Sequence, residues 1–367
     1  MKVDHFKTVE SGSYKPEDVQ FLLKDLSHLD LEGSIEEREY RIQNNVEHYS
    51  ESLPTEKLPS SRYLECYEKA LALNGPLTAN LIKKVSVQLY SLFQKEMVLV
   101  SLARAGTPAG ILIKRYISQF LGGDIPHYSI SIIRGKGLDL NALAYIKNRH
   151  TKKNVIFIDG WTGKGSIARE LDESCKQYSS QIHTHIKPFL AVLSDPALSA
   201  SISGTNEDLL LPHACLNATV SGLISRTVHN QKWIGSAEFH GAKLYQEWSD
   251  FDQSNLYIDA ITSLFTPPEI HDGGGQLHAP LNLGIQEVKQ IAKEFDIEDV
   301  HLIKPSIGET TRVLLRRLPW KILVKSKKDP QVQHILELAE EKEVKVMEYT
   351  QMTYRSCGII RPIGDSS

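Results

Sequence analysis

The chain has 367 residues, a length that suggests two or three domains, and a formal charge of −3, which gives no global argument for a nucleic-acid or membrane partner. Its four cysteines, Cys66, Cys175, Cys215 and Cys357, are widely spaced with no CxxC pair, so neither a zinc site nor a disulfide framework is indicated. The first residues lack an apolar signal core and no apolar run approaches the roughly 18 residues of a membrane helix, so the expected location is the cytoplasm.

Residues 1 to about 95 read as a polar, helical extension, with helical spacing of apolar residues over 63–93. Met97-Val-Leu-Val-Ser-Leu-Ala103 is a buried-strand run that ends in Arg104-Ala105-Gly106-Thr107-Pro-Ala-Gly110 before an apolar helix. A second run, His127-Tyr-Ser-Ile-Ser-Ile-Ile133, ends in the basic loop Arg134-Gly-Lys136-Gly137. A third, Asn154-Val-Ile-Phe-Ile-Asp159, runs straight into Gly160-Trp-Thr162-Gly163-Lys164-Gly165-Ser166 and a helix start. A fourth is expected at Phe189-Leu-Ala-Val-Leu193. The pattern predicts an α/β fold with a parallel sheet, whose ligands bind at the carboxyl ends of the strands.

From about 200 to 280 the pattern is irregular and rich in aromatic and His residues (Trp233, His240, Tyr245, Trp248), and it reads as a hood or base-recognition insertion. The tract Asp272-Gly-Gly-Gly-Gln276 marks a boundary, because it has no periodicity and maximal backbone freedom. The expected domains are therefore 1–95, 96–276 and 281–367. The last is a small α/β sandwich with strands at 299–303 and 320–324 and helices at 308–317 and 329–343. Between Lys304 and Lys328 it carries eight Lys or Arg residues (304, 312, 316, 317, 321, 325, 327, 328) against the single acid Glu309, a patch able to neutralise several phosphates.

The turn after Asp159 suits a phosphate, since glycines let the backbone approach and helix-start amides face the anion. A Walker A loop is excluded, because Gly163-Lys164 is followed by Gly165 and the earlier glycine position is Ile158. The dinucleotide pattern is met only loosely by Gly163-Lys-Gly165-Ser-Ile-Ala168, with an acid and three more residues ahead of its first glycine. A strand, an acid and a Thr-Gly turn instead resemble the loop of type I phosphoribosyltransferases, and Arg104, Ala105, Gly106 and Thr107 resemble the pyrophosphate loop of those enzymes.

With Gly12-Ser-Tyr-Lys-Pro-Glu-Asp-Val, Glu36-Glu-Arg-Glu39 and His48-Tyr-Ser-Glu51, these segments resemble the phosphoribosyltransferase family of tellurite-resistance and stress clusters, sometimes labelled StiP. The resemblance implies a type I phosphoribosyltransferase-like sheet and transfer of a phosphoribosyl group from phosphoribosyl pyrophosphate to an unknown base. It implies Asp159 on the ribose hydroxyls, Thr162, Gly163, Lys164, Gly165 and Ser166 at the 5-phosphate, and Arg104, Arg134 and Lys136 on the pyrophosphate, with Mg²⁺ bridging substrate oxygens. Such transferases often dimerise. Gly160 stands where they carry a second acid, leaving Asp159 alone. His48, Tyr49 and Glu51 are expected to complete the site, and Ser225 and Arg226 to reach the acceptor.

Lys304-Pro-Ser-Ile-Gly308-Glu309-Thr-Thr-Arg312, followed by a strand and Asp329-Pro330, resembles the Pelota-type RNA-binding domain. This implies RNA contacts by Lys304, Gly308, Glu309, Arg312 and Arg316. Two other function classes stay open at this point. One is a non-catalytic, nucleotide-sensing RNA-binding protein. The other is a cysteine protease, the family's other label, for which Cys215, near His213 and Asn217, is the local candidate; a buried inert thiol is the plainer reading of that cysteine.

Overall fold

The β-branched runs of the middle of the chain form the sheet that positions everything else. The protein is described by a computed structural model covering residues 6–183, 185–269, 281 and 283–362. The principal strands are β1 (Gln20–Phe21), β2 (Met97–Ala103), β3 (His127–Ile133), β4 (Gly137–Leu138), β5 (Asn154–Trp161), β6 (Leu190–Ser194) and β7 (Ile202–Thr205). They lie in the order β1-β3-β2-β5-β6-β7, all parallel, with β4 antiparallel on β3.

Alternation along the strands sends Leu99, Ile156 and Ile158 to one face and Val98, Val100 and Phe157 to the other. The first face is covered by α2 (Ser61–Phe93), α3 (Gly106–Tyr116) and α6 (Ser254–Ser263), after α1 (Ile35–Gln43) has crossed the surface. The second is covered by α4 (Leu140–Arg149) and α5 (Ser166–Ile182). The strand order reverses between β2 and β5, so the loops after these two strands flank the position where parallel sheets bind ligands.

The C-terminal unit has strands β8 (Ile303–Pro305), β9 (Pro319–Val324), β10 (Lys345–Glu348) and β11 (Ser356–Ile360) in the order β8-β11-β9-β10. Its helices are α7 (Gly284–Glu294), α8 (Ile307–Arg316) and α9 (Gln333–Glu341). Asp208 fastens it to the central sheet: its carboxylate accepts the backbone N–H of Ile307 at 3.0 Å and of Arg355 at 2.9 Å.

Several expectations need correction. Residues 6–33 are not helical. Phe21, Leu22 and Leu23 are buried and Gln20–Phe21 adds a strand to the edge of the sheet, while Lys24–Asp25 pairs with Gly241–Ala242 and Glu32–Gly33 with Leu53–Pro54. The strand expected from 299 starts only at Ile303, because Asp299 accepts from the His301 amide and closes a 3₁₀ turn over Val300–Leu302. The last helix begins at Gln333 after a 3₁₀ turn at Pro330–Val332. Within the segment read as a hood, α6 packs beside α2 and α3, and Arg226 lines the cleft described below. The 272–276 tract lies outside the described residues. No helix among the described residues is long and apolar enough to cross a membrane.

Candidate functional site

The turn after β5 is built around contacts with the C-terminal unit. Trp161 presses on α8 so closely that a Cβ added at Gly308 would lie 2.1 Å from its ring, and the Arg312 guanidinium lies 4.5 Å above that ring. Gly163 accepts from the Tyr354 hydroxyl at 2.8 Å. The Lys164 ammonium turns away from solvent to donate to the carbonyls of Val300, at 2.5 Å, and Ile303, at 3.1 Å. Burial, with Arg134 adding to it, lowers the Lys164 pKa to about 8. The Thr162 hydroxyl donates to Asp195 at 2.6 Å and accepts from the Ala197 amide. Of the residues expected on a 5-phosphate, the hydroxyl of Thr162 and the amine of Lys164 are thus engaged within the protein, while Gly165, at φ +77°, and Ser166 start α5 facing open space.

Gly160 has its own steric reason. A Cβ there would stand 3.0 Å from Nε2 of His213, so the missing second acid leaves room for a buried imidazole. The loop after β2 is closed as well. The buried Arg104 donates to the Ile224 carbonyl and pairs with Glu56 at 2.6 Å, Ala105 and Gly106 open α3 against the backbone of Ile158, and the Thr107 hydroxyl meets that of Ser129 at 2.8 Å. Its open space is a cavity of about 20 Å³ shared with His213 and Arg316, the room of a single water.

The main opening lies instead between the β5–α5 turn and the C-terminal unit, a cavity of about 250 Å³. Into it face Arg38, Arg134, Lys164, Arg226, Lys304, Arg312, Arg316 and Arg317, against the two acids Asp159 and Glu309. Tyr49 organises one wall: its hydroxyl accepts the Arg134 amide at 2.8 Å, and the Arg134 and Arg226 guanidinium groups lie 5.4 and 5.1 Å from its ring. Arg226 and Arg38 donate to backbone carbonyls of residues 49 and 52, and Arg317 pairs with the buried Glu39 of α1. Burial, followed by repulsion from Arg317, brings Arg38 down to about 10, and burial, followed by repulsion from Arg38, brings Arg226 to about 9, both still charged at neutral pH.

Asp159 is pushed up to about 7 by burial, against the pull of Arg312, and its carboxylate accepts from the Gly160 amide at 2.8 Å. Burial also opposes charge on Glu309, but Arg312, Lys304 and Arg316 outweigh it and hold its pKa low, with Arg312 at 2.7 Å. Burial and then neighbouring cations press Lys304 and Arg316 well below their ordinary values. Such perturbed groups converging in a cavity mark a site.

Four of the eight basic residues in the C-terminal run, Lys304, Arg312, Arg316 and Arg317, line this cleft. Lys321 packs instead over Trp320 at 3.6 Å, and Lys325, Lys327 and Lys328 are exposed beyond it, so the linear patch splits into two faces. Gly308 serves packing on Trp161. Lys136 is exposed and does not line the cleft. His48 bonds Ser50 at 2.8 Å, and Ser225 is engaged by Arg226 and Lys243. Arg38 escaped notice in the sequence, although it sits inside the Glu36-Glu-Arg-Glu39 motif.

Cys215 lies in the core at the end of a 3₁₀ turn, Pro212–Ala214. Burial, followed by Cys66, pushes its thiol far above the ordinary value. Burial likewise lowers the His213 pKa to about 3, and Nδ1 of that ring faces the Tyr257 hydroxyl at 3.1 Å. Cys66, Cys175 and Cys357 are buried with thiols raised to about 12. Among the described residues there is no cluster of three His, Cys, Asp or Glu able to hold a metal ion.

Residues 12–262 match the family model described as tellurite-like stress resistance cysteine protease StiP, and residues 282–362 match the Pelota RNA-binding domain. The protein named cysteine protease StiP from Acinetobacter baylyi is 34% identical over 369 residues, covering 96% of this chain and 95% of its own. No solved structure matches. These matches overturn the expected phosphoribosyltransferase activity, since the family model and the relative both carry the name of a protease. The physical fault in that expectation is the loop after β2, whose arginine, backbone and hydroxyl are consumed inside the protein. The expected Mg²⁺ was to bridge oxygens of the transferase substrate and loses its ground with it. The chain belongs to the StiP family of tellurite-like stress resistance proteins and ends in a Pelota-type RNA-binding domain.

Proposed function

We propose that this chain is an RNA-binding stress protein that holds RNA at the basic cleft between its parallel sheet and its Pelota-type domain. The observation that carries the reading is the convergence of eight Lys and Arg side chains against two acids in one cavity, with Lys304, Arg312 and Arg316 supplied by the RNA-binding domain itself. Phosphate neutralisation at such a cleft supplies affinity, and the half-buried ring of Tyr49 beside it offers a stacking surface for an unpaired base. Fluorescence anisotropy of a labelled single-stranded RNA titrated with the full chain is the test. Affinity is expected to fall steeply with salt, and Lys304→Ala to weaken binding about tenfold, worth ~1.4 kcal/mol. Salt-independent binding, or an unchanged Lys304→Ala, sinks the reading.

The protease in the family's description is a second reading, favoured by the name of a relative that spans nearly the whole chain. Proteolysis needs a thiolate, and the buried Cys215 must be uncovered before it can act. Iodoacetamide labelling at neutral pH, read by mass spectrometry beside a peptide-hydrolysis assay, decides between the two. This fold predicts a Cys215 that stays unmodified unless denaturant is added. Rapid labelling together with hydrolysis lost in Cys215→Ser would establish the protease.

A further inference from the structure

The cleft is small and its charge is unevenly spent. A cavity of about 250 Å³ lies below the usual ~300–1,000 Å³ of ligand pockets, so it takes a unit of roughly one nucleotide and no helical RNA can enter it. Of the cations around it, Arg312 is paired with Glu309 and Arg317 with Glu39, while Lys164, Arg38 and Arg226 donate to backbone carbonyls.

Three cations remain. Arg134 meets the His301 ring at 3.4 Å and lies 5.4 Å from the Tyr49 ring, and like Lys304 and Arg316 it has no carboxylate in ion-pair range among the described residues. In addition, the Nε of Arg226 is buried without a hydrogen-bond partner among the described residues. On the opposite wall Gly165 and Ser166 begin α5, whose first amides receive no side-chain cap. Half-buried like charges left together in one cleft favour a compact, multiply charged anion. An internal phosphodiester carries a single negative charge, whereas a phosphate monoester carries about −1.5 to −2 at neutral pH and three acceptor oxygens.

We propose that the cleft holds the terminal phosphate monoester of an RNA strand, with Arg134, Lys304 and Arg316 as its counter-charges and the Arg226 Nε as a further donor. This deepens the RNA reading above and rests on it. The cleft then reads the end of a strand, while the next nucleotides leave past Tyr49. Specificity lies in the phosphorylation state of the end, not in the base sequence.

The experiment is competition for the full chain between short single-stranded RNAs of one sequence that carry a 5′-phosphate, a 3′-phosphate or only hydroxyl ends. A phosphorylated end is expected to compete at least tenfold better than the hydroxyl form. That advantage should shrink below about threefold in Lys304→Gln and in Arg316→Gln, and equally in Arg134→Gln, whose contact with His301 is exposed and which serves where the others fail to fold. Equal binding of all three RNAs overturns the terminal-phosphate assignment and leaves the RNA reading standing. Absence of binding by any RNA overturns both. A free nucleoside monophosphate that competes as well as the phosphorylated strand also overturns the assignment, in favour of a small nucleotide ligand.

Discussion

Asp159 shows how one residue changes meaning when its surroundings are known. In the sequence it is the acid at the end of a strand, placed for sugar hydroxyls. In the fold its carboxyl group lies near the guanidinium of Arg312 and the carboxylate of Glu309 in the cleft, and burial raises its pKa to about 7. The sign of the consequence follows. Below pH 7 Asp159 is neutral and the cleft is at its most positive. Above pH 7 it is charged, and Lys164 loses its proton near pH 8, so the cleft loses positive charge at both steps. Affinity for an RNA with hydroxyl ends, which has no phosphate monoester of its own to titrate, is therefore expected to decline from pH 6 to pH 9 when measured by anisotropy at constant ionic strength. In Asp159→Asn the part of the decline centred near pH 7 should vanish. A pH profile unchanged by that substitution would show that Asp159 does not face the bound anion. The motif around Asp159 was legible in the sequence because its residues are contiguous. The partners that set its chemistry were not, since Arg312 and Glu309 arrive from some 150 residues further on.

At the scale of elements, the strands over 97–103, 127–133 and 154–161 were readable because burial on both faces writes short runs that are largely apolar and β-branched, broken mainly by small serines. The 33-residue α2 was readable from its periodicity. The short parallel pairings of residues 20–33 were not, because two-residue strands carry no period and owe their existence to partners far along the chain. The seating of α8 was equally hidden. Gly308 looked like part of an RNA-contacting turn, yet it leaves room for Trp161 of β5, a contact that only the assembled elements reveal. Gly308→Ala must displace the indole, and overpacking of this kind costs about 1–3 kcal/mol. Thermal unfolding followed by circular dichroism is expected to show a Tm lower by a few degrees. An unchanged Tm would mean that the turn and α8 separate freely.

For the molecule as a whole, the cleft exists only because three distant stretches meet: α1 and Tyr49 from the N-terminal region, the loops after β3 and β5 with Arg226 from the centre, and β8 with α8 from the RNA-binding unit. Glu39 with Arg317, Lys164 with the carbonyls of Val300 and Ile303, Tyr354 with Gly163, and Asp208 with Ile307 and Arg355 hold these stretches together. The eight-residue basic run of the sequence promised one RNA face, and the fold divides it between this cleft and an outer surface at Lys325, Lys327 and Lys328. Which of the two meets RNA is the central question. Ultraviolet crosslinking of the full chain to single-stranded RNA, with crosslinked peptides identified by mass spectrometry, answers it directly. The account predicts adducts on Tyr49 and the 304–317 segment. Adducts confined to the 321–328 surface would contradict it.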